Sequence, residues 1–369
     1  MPKIHWVYPT GPQVRTPFAI GRRVAAALRD RGYDVVQWDW DDDRVIEPER
    51  GDVLVGHPHY IPWTVFRRSA RRPGWRRIVA VVPYSHGRVE QVAWLEWVLP
   101  QSDLFLAITG PYWFAQVRES DCAHWLPKMV HVDLAVDRSE FPRVKTRFNP
   151  PGKRRFLYIG SAEPYKNVPY LSRIARRCAP TEFAWIGGDR TLPGVRTLGF
   201  HDFGTDAGRA AVAEYDFVIS VGDSDANPTT LLEAAAWGLV PVCTPQSGYD
   251  RSEPGFVNVP LNDVEGAARV VDELQRCPEE RLLGLRDAND RRLDAHYTWD
   301  RFCLQVIEAI ESEDSPALDP VPRSRRLRLY WAALTGVFSP LRRYNRRKII
   351  RANRKRRETA RSTAGASVG

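Results

Sequence analysis

The sequence predicts an α/β protein built from two Rossmann-like, doubly wound domains that face each other across a cleft. Short apolar runs rich in β-branched residues alternate with helical patterns through most of the chain, as in parallel sheets covered by helices on both faces. The alternation occurs twice, before and after a Pro-rich, basic stretch at residues 142–154 that has no periodicity. A length of 369 residues fits two domains of ordinary size.

The first series begins with the strand pattern KIHWVY at residues 3–8, and Ile20, Val24 and Leu28 then recur at helical spacing. Its other predicted strands lie at residues 34–38, 52–56, 78–83, 103–109 and 128–137. The second series has predicted strands at residues 155–160, 183–188, 195–200, 216–222, 239–244 and 256–260. We therefore expect an N-terminal domain over residues 1–141, a linker over 142–154 and a C-terminal domain over 155–298. Ligands of open α/β sheets bind at the carboxyl ends of the strands, which places the expected site in the cleft.

Charge and cysteine content limit the possible classes of protein. Fifteen basic side chains and one acidic side chain lie between Arg323 and Arg361, whereas the whole chain has a net charge of +9, so the remainder is mildly acidic. Five scattered cysteines without a C-x-x-C pair are typical of buried thiols in a reducing compartment. The N-terminal segment has no signal-peptide pattern, and no apolar run is long enough to span a bilayer. We expect a cytoplasmic protein.

The segment SDANPTTLLEAAAWGLVPV at residues 224–242 is the strongest candidate for a functional site. Asp225 and Glu233 are carboxylates separated by seven residues. Asn227 and Pro228 have the pattern of an N-cap and a first helical residue, so a helix should begin there and end at Gly238. Free amides at a helix N-terminus attract anions, and a carboxylate one turn later suits two ribose hydroxyls. Taken alone, two carboxylates at this spacing are weak evidence, and a turn residue with a solvated helix residue would be the better interpretation.

A second candidate segment, GSAEPYKNVPYLSRIAR, covers residues 160–176. It places Gly160 and Ser161 at a strand end and Lys166 at the start of a helix. A lysine in this position can reach a diphosphate and stabilise its charge as it leaves. The hydroxyls of Thr229 and Thr230 would be further donors at the N-terminus of the helix in the first candidate segment. A surface lysine before an ordinary helix is the alternative.

In their order along the chain these motifs resemble the retaining glycosyltransferases of family 4, the group 1 glycosyl transferases, which have the GT-B fold. The similarity extends over about residues 3–312. It includes the Gly160-x5-Lys166 motif, the LGF strand end at 198–200, the carboxylate-x7-carboxylate helix, the segment VHVDLAVDRSEF at 130–141 and the late pattern YTWDRFCLQVIEAIES at 297–312. The resemblance implies that residues 299–320 form a helix that packs back toward the N-terminal domain. A basic amphipathic tail, residues 321–369, would follow.

The resemblance also implies roles for the matching residues. Lys166 would bind the donor phosphates and Glu233 the ribose, while Asp225 would lie near the anomeric carbon and His86 near the transferred sugar. The residues implied in the remaining donor contacts are Gly11, Gly160, Ser161, Phe200, Asn227, Pro228, Thr229 and Thr230. His57 and His59 would line the acceptor side, with ordinary loop positions as the alternative. The implied reaction is transfer of a sugar, of the hexosyltransferase type, from a nucleotide diphosphate sugar, with retention and without a metal or other cofactor.

Three positions depart from the family pattern. Ser161 replaces the usual arginine, Asp225 replaces the more common glutamate, and Leu134-Ala135 replaces an Asn-Gly pair. Half of the cationic phosphate clamp is therefore missing at Ser161. The departures leave the fold prediction intact but bear on activity and on the identity of the donor sugar.

Three other interpretations remain open. Asp223-Ser224-Asp225 matches the metal-binding D-x-D motif of the other large glycosyltransferase fold, although that fold has one nucleotide-binding domain. A catalytically inactive GT-B scaffold that binds a nucleotide or glycan is a second alternative. A nucleic-acid-binding arm is the third; the basic tail has few aromatic residues for base stacking, so we expect no specific nucleic acid partner.

The last expectation concerns the acceptor. Leu327, Trp331, Leu334, Phe338 and Leu341 recur at steps of four and three, which predicts one apolar stripe on a helix. A basic run follows to residue 361, and a second basic-aromatic patch covers residues 63–77. Residues 63–77 and 327–361 are therefore predicted to contact an anionic membrane surface, beside an envelope, lipid-linked or glycan acceptor. The alternative is a solvated tail whose apolar stripe packs on the body of the protein.

Overall fold

A computed structural model of the protein describes residues 2–11, 16–188 and 190–336. The N-terminal domain contains a parallel six-stranded sheet in the order β2-β1-β3-β4-β5-β6. Its strands are β1 Lys3–Val7, β2 Asp34–Trp38, β3 Val53–Gly56, β4 Arg77–Pro83, β5 Leu104–Ile108 and β6 Met129–Val132. Its helices are α1 Phe18–Asp30, α2 Val65–Ser69, α3 Val89–Val92 and α4 Pro111–Gln116. Four short 3-10 helices lie at Ala93–Trp97, Leu99–Gln101, Val117–Glu119 and Ala123–Lys128.

The C-terminal domain contains a second parallel six-stranded sheet, in the order β12-β11-β10-β7-β8-β9. Its strands are β7 Arg155–Ile159, β8 Glu182–Ile186, β9 Arg196–Gly199, β10 Phe217–Ser220, β11 Val240–Cys243 and β12 Val257–Asn258. Its helices are α5 Val168–Arg177, α6 Asp206–Ala213, α7 Thr229–Trp237, α8 Val264–Arg276 and α9 Glu279–Ala295, with 3-10 turns at Pro164–Lys166 and Pro245–Ser247. Two doubly wound parallel sheets confirm the predicted fold class.

Apolar packing joins the two domains. One cluster of buried side chains includes Val24 of α1, Leu106 of β5 and Leu232 of α7, so it extends from one domain into the other. Two further clusters lie within the separate domains. Trp6 and Trp237 are fully buried, and burial of a large apolar side chain stabilises a fold by roughly 1.5–3 kcal/mol. The relative position of the domains is therefore stabilised by a continuous core.

The segment predicted as a linker, residues 142–154, has no helix or strand, but it packs on the C-terminal domain. The amides of Val144 and Lys145 donate to the carbonyl oxygen of Trp237 over 3.0 and 2.8 Å. The buried ammonium of Lys145 lies 3.2 Å from the carboxylate of Asp216, and Phe148 is buried in the apolar core of this domain. The segment is thus fixed to the domain that follows it.

The chain returns to the N-terminal domain after residue 298. Helix α10, Trp299–Glu311, contacts α1, β4 and β5. The guanidinium of Arg77 donates to the carbonyl oxygens of Ala309 and Asp314 over 2.5 and 2.9 Å, near the C-terminal end of this helix. Helix α11, Arg323–Thr335, then packs against α3 and the 3-10 helix at Ala93–Trp97. No helix of the described residues is long and apolar enough to cross a membrane.

The predicted apolar stripe of the tail begins on helix α11, where Leu327 and Trp331 are exposed and Leu334 is half-buried. Helix α11 buries Leu329 and Ala333 against the N-terminal domain. Leu327, Tyr330 and Trp331 remain exposed, with Trp331 at 63%. The face that packs on the domain is therefore a different one from the predicted stripe, and contact of the stripe with a membrane stays a prediction. Phe338, Leu341 and the remainder of the predicted contact surface up to residue 361 lie outside the described residues.

The predicted basic-aromatic patch at residues 63–77 is partly buried. Phe66 is fully buried, and the half-buried indole of Trp75 donates to the carbonyl oxygen of Ser69 over 2.8 Å. Arg67 and Arg77 are buried and donate to backbone carbonyl oxygens of the protein itself. These buried side chains serve the packing of the N-terminal domain, and contact of the exposed residues of the patch with a membrane stays a prediction.

Candidate functional site

The carboxyl ends of the central strands of the two sheets meet in the cleft. The amide of Gly110, after β5, donates to the carbonyl oxygen of Ala226, after β10, over 2.8 Å. The indole nitrogen of Trp113 donates to the carbonyl oxygen of Asp225 over 2.7 Å. These contacts join a segment of the N-terminal domain to a segment of the C-terminal domain. Because β4 is the neighbour of β5 in its sheet, the residues predicted after β4 also lie near those predicted after β10.

The start of α7 differs by one residue from the prediction. Pro228 has φ −69° and ψ 110°, which is extended, so it occupies the N-cap position and the helix begins at Thr229. Asn227 does not cap the helix. Its side-chain oxygen accepts hydrogen bonds from the amide of Leu134 over 3.3 Å and from the hydroxyl of Tyr249 over 3.1 Å. Asn227 thus connects the start of α7 to the N-terminal domain, and its buried side-chain nitrogen has no partner among the described residues.

Lys166 and Asp225 form an ion pair at the center of the predicted donor site. Lys166 lies in the 3-10 turn Pro164–Lys166, and Asn167 then adopts a left-handed conformation, φ 53°, before α5 begins. Burial alone would lower the pKa of Lys166, but the carboxylates of Asp225 and Glu233 contribute to raising it above its ordinary value. The lysine therefore keeps its positive charge in a mostly buried position.

Glu233 lies close enough to Lys166 for the two charges to interact. Burial raises the pKa of Glu233 from 4.5 to about 7, and the hydroxyl of Thr229 and the charge of Lys166 partly oppose this shift. The structure thus brings together three predicted donor residues, Lys166, Asp225 and Glu233, beside the first turn of α7. Such a raised pKa is common at functional sites because an isolated buried carboxylate is costly.

His86 follows β4 and faces the same region. Its Nδ1 atom lies 3.1 Å from the hydroxyl of Tyr84, and its ring contacts Trp113 edge to face at 4.9 Å between centroids. Burial lowers the pKa of His86 to about 4. The imidazole is therefore neutral at neutral pH and suited to orienting a hydroxyl. Trp113 contacts both His86 and the backbone of Asp225, so it fixes their relative positions.

A set of contacts that the sequence did not indicate joins residues 85–88 to residues 223–224. The guanidinium of Arg88 donates to both carboxylate oxygens of Asp223, over 2.8 Å from Nε and 2.6 Å from Nη2. The amide of Arg88 donates to the hydroxyl of Ser224 over 2.9 Å. Arg88 lies two residues after His86, in the segment that follows the carboxyl end of β4. This position was the signal from which the sequence could have indicated it. In this arrangement Asp223 and Asp225 of the D-x-D pattern each contact a cation of the protein.

The remaining predicted residues lie in different surroundings. His57 and His59 are buried within an aromatic cluster that includes Trp40, and burial lowers the pKa of His57 to about 3. They are packed side chains, and a direct contact with an acceptor stays a prediction. Phe200 is 80% exposed after β9, and Ser161 is exposed after β7.

Two glycines in the predicted donor set are close to aromatic side chains. A Cβ atom at Gly160 would lie 3.0 Å from the hydroxyl oxygen of Tyr158, and one at Gly11 would lie 3.1 Å from the ring of Phe18. Gly11 directly precedes residues 12–15, which lie outside the described part of the chain. The approach of either backbone to a diphosphate stays a prediction.

A further polar cluster lies where α9 ends beside β6. The carboxylate of Asp133 accepts a hydrogen bond from His296 over 2.7 Å and lies 3.3 Å from His131. Burial would raise the pKa of Asp133, but the two histidines outweigh it and lower the pKa to about 2. The half-buried pair of Asp133 and His296 connects the C-terminal domain to the segment after β6 of the N-terminal sheet.

Comparisons with known proteins identify the fold. No protein-family model matches the sequence, and no curated protein matches it. Sucrose-phosphate synthase from Thermosynechococcus elongatus superposes with a TM-score of 0.59 and 12% identity, over 84% of this chain and 98% of that one. An Escherichia coli trehalose-6-phosphate structure bound with UDP-2-fluoro glucose gives a TM-score of 0.59 and 10% identity, over 85% and 100%.

A third structure, WaaG, a glycosyltransferase involved in lipopolysaccharide biosynthesis, gives a TM-score of 0.55 and 12% identity, over 84% of this chain and 100% of that one. The chain therefore has the GT-B fold, as the sequence predicted. The D-x-D alternative required a fold with one nucleotide-binding domain, and the two facing sheets differ from it.

Proposed function

We propose that the protein is a glycosyltransferase that transfers a hexose from a nucleotide diphosphate sugar to an envelope, lipid-linked or glycan acceptor. The observation that carries this proposal is the grouping of Lys166, Asp225 and Glu233 at the N-terminus of α7, within the cleft of a GT-B fold. A cation, free helix amides and an acceptor-only carboxylate together match the phosphates and ribose of such a donor.

The arrangement supports a mechanism in which the protein stabilises the departing diphosphate. Lys166 and the first amides of α7 would neutralise the charge that develops on the phosphate oxygens. Glu233 in its ionised form would accept hydrogen bonds from the ribose hydroxyls, and His86 would orient a hydroxyl of the sugar. Because Lys166 is paired with Asp225, the diphosphate would replace that carboxylate as the partner of the lysine and leave Asp225 beside the anomeric carbon.

The proposed reaction proceeds with retention, and we propose that it needs no metal ion because cationic side chains of the protein, among them Lys166, together with the amides of α7 provide the positive potential. Its test begins with a thermal-shift panel of nucleotide diphosphate sugars, in which a ligand at 100 times its Kd adds about 2.7 kcal/mol of stability. Turnover of the bound donor is then measured with and without EDTA, and the product anomer is assigned by NMR. Binding without turnover on a broad acceptor panel would instead indicate a nucleotide-binding scaffold, the interpretation that the uncharged Ser161 favours.

The membrane part of the proposal now rests on α11 and the residues beyond it. Leu327, Tyr330 and Trp331 are exposed on a helix that also carries four arginines, a combination suited to an anionic lipid interface. A chain ending at residue 322 is a poor test because it would also remove the packing of Leu329 and Ala333. Trp331→Ala and a chain ending at residue 336 should each reduce co-sedimentation with anionic vesicles. Unchanged sedimentation in both would refute membrane attachment.

A further inference from the structure

The side of the donor site that the C-terminal domain provides is acidic. Residues 160–167, after β7, and residues 221–228, after β10, together contain one cation, Lys166, and three carboxylates, Glu163, Asp223 and Asp225. A nucleoside diphosphate would bring further negative charge to this position. Binding of such a ligand therefore requires positive charge from another part of the molecule.

We propose that Arg88 of the N-terminal domain is the second cation that binds the donor diphosphate, an inference that rests on the proposed function. Its Nη2 atom donates to the carbonyl oxygen of Pro164 over 3.1 Å, in the same 3-10 turn as Lys166. The same guanidinium contacts Asp223, two residues before Asp225. Arg88 therefore lies against both segments that carry the donor residues.

The two cations are held in the same manner. Asp223 orients Arg88 and Asp225 orients Lys166, so one loop after β10 positions a cation from each domain. The guanidinium of Arg88 is partly exposed, and its Nη1 atom has no hydrogen-bond partner among the residues that the structure describes. Planar guanidinium groups match the geometry of phosphate oxygens better than an ammonium does.

The proposed role of Arg88 couples donor binding to the association of the two domains. A diphosphate held by Arg88 and Lys166 at once would bridge the two domains, in addition to the direct contacts between residues 85–88 and 223–224. Donor binding would then strengthen the association of the two domains at this point. A purely structural Arg88 would instead connect the domains whether or not a donor is bound.

The test is calorimetric titration of the full-length protein with UDP, ADP and GDP, followed by titration of variants with the nucleotide that the wild type binds most tightly. Arg88→Ala should weaken binding about 10- to 100-fold, the range for loss of one charge-assisted contact. Arg88→Lys should recover part of the loss. Asp223→Asn, which breaks the same ion pair but leaves the cation and removes a competing negative charge, should weaken binding less than Arg88→Ala does.

Arg138→Ala is the matched control, because Arg138 also forms ion pairs between the two halves of the chain, with Asp290 and Asp294, away from the donor residues. It should not change the affinity. If Arg88→Ala is unstable, Arg88→Gln replaces it. Wild-type affinity in Arg88→Ala, or equal losses in Arg88→Ala and Asp223→Asn, would overturn the inference. A wild type that binds none of the three nucleotides would refute the proposed function as well.

Discussion

Glu233→Gln should stabilise the folded protein above neutral pH while it weakens donor binding. The carboxyl of Glu233 has a pKa raised to about 7 in the folded protein, because burial disfavours its ionised form. Between about pH 4.5 and about pH 7 the unfolded chain has already released this proton while the folded chain still holds it. The free energy of unfolding therefore falls as the pH rises through this interval and is level with respect to this group above it.

The magnitude follows from the shift in pKa. At about 1.4 kcal/mol per pKa unit, a shift of roughly two and a half units gives an upper limit of about 3 kcal/mol. Glu233 is only partly shielded from solvent, so we expect about 1–2 kcal/mol after allowance for screening. A glutamine has nearly the same shape and cannot ionise, so the variant should avoid this cost.

The assay is thermal unfolding of the wild type and Glu233→Gln at several values between pH 4.5 and pH 8. Their difference in Tm should be near zero at the acidic end and should grow to about 1–3 °C at pH 8, at roughly 1.3 °C per kcal/mol for a chain of this length. Glu280→Gln, at an exposed position on α9, provides the baseline for removing one carboxylate. A Glu233→Gln variant that is less stable at pH 8, or a difference independent of pH, would refute the reasoning.

Three other substitutions test the site and the domain junction. Lys166→Ala should weaken binding of a nucleoside diphosphate by tenfold or more in calorimetric titration, since it removes a charge-assisted contact worth about 1.5–3 kcal/mol; wild-type affinity would contradict the phosphate assignment. Ser161→Arg should tighten the same binding, because Ser161 is exposed and a guanidinium suits phosphate; weaker binding in a folded variant would mean that its position was misassigned. Asp133→Asn should lower the free energy of unfolding in urea at pH 7 by about 1–3 kcal/mol, and its effect should vanish as the pH falls toward 2, where Asp133 itself becomes protonated. An effect that persists there would contradict the ion-pair explanation.

The sequence predicted the strands and their parallel arrangement because buried strands of β-branched residues between helices permit few other folds. It also indicated Lys166, Asp225 and Glu233, since each stands at a defined offset from a strand end or a helix start. The error at Pro228 was local. A proline can precede a helix as an extended residue or begin it, and ψ decides between the two positions.

The residues at 63–77 illustrate that a side chain can be used in more than one way. The arginines and aromatic residues at 63–77 have the composition of a membrane-facing patch, but Arg67 and Arg77 donate to carbonyl oxygens of the protein and Phe66 is buried in its core. Composition does not record whether a backbone acceptor lies within reach. Contacts with residues distant in the chain supply that information.

By itself the sequence determined two doubly wound domains, the strand ends and helix start that carry the donor residues, and the helical periodicity near residue 330. Only the tertiary structure decided which residues meet across the cleft and which face of α11 is buried. Arg88 and Asp223 are 135 positions apart in the chain, and their contact follows from how two sheets pack, which depends on the whole apolar core that they share. The local sequence pattern specifies where a helix or strand forms and which of its sides are apolar. What each side packs against depends on all the contacts that the complete fold makes.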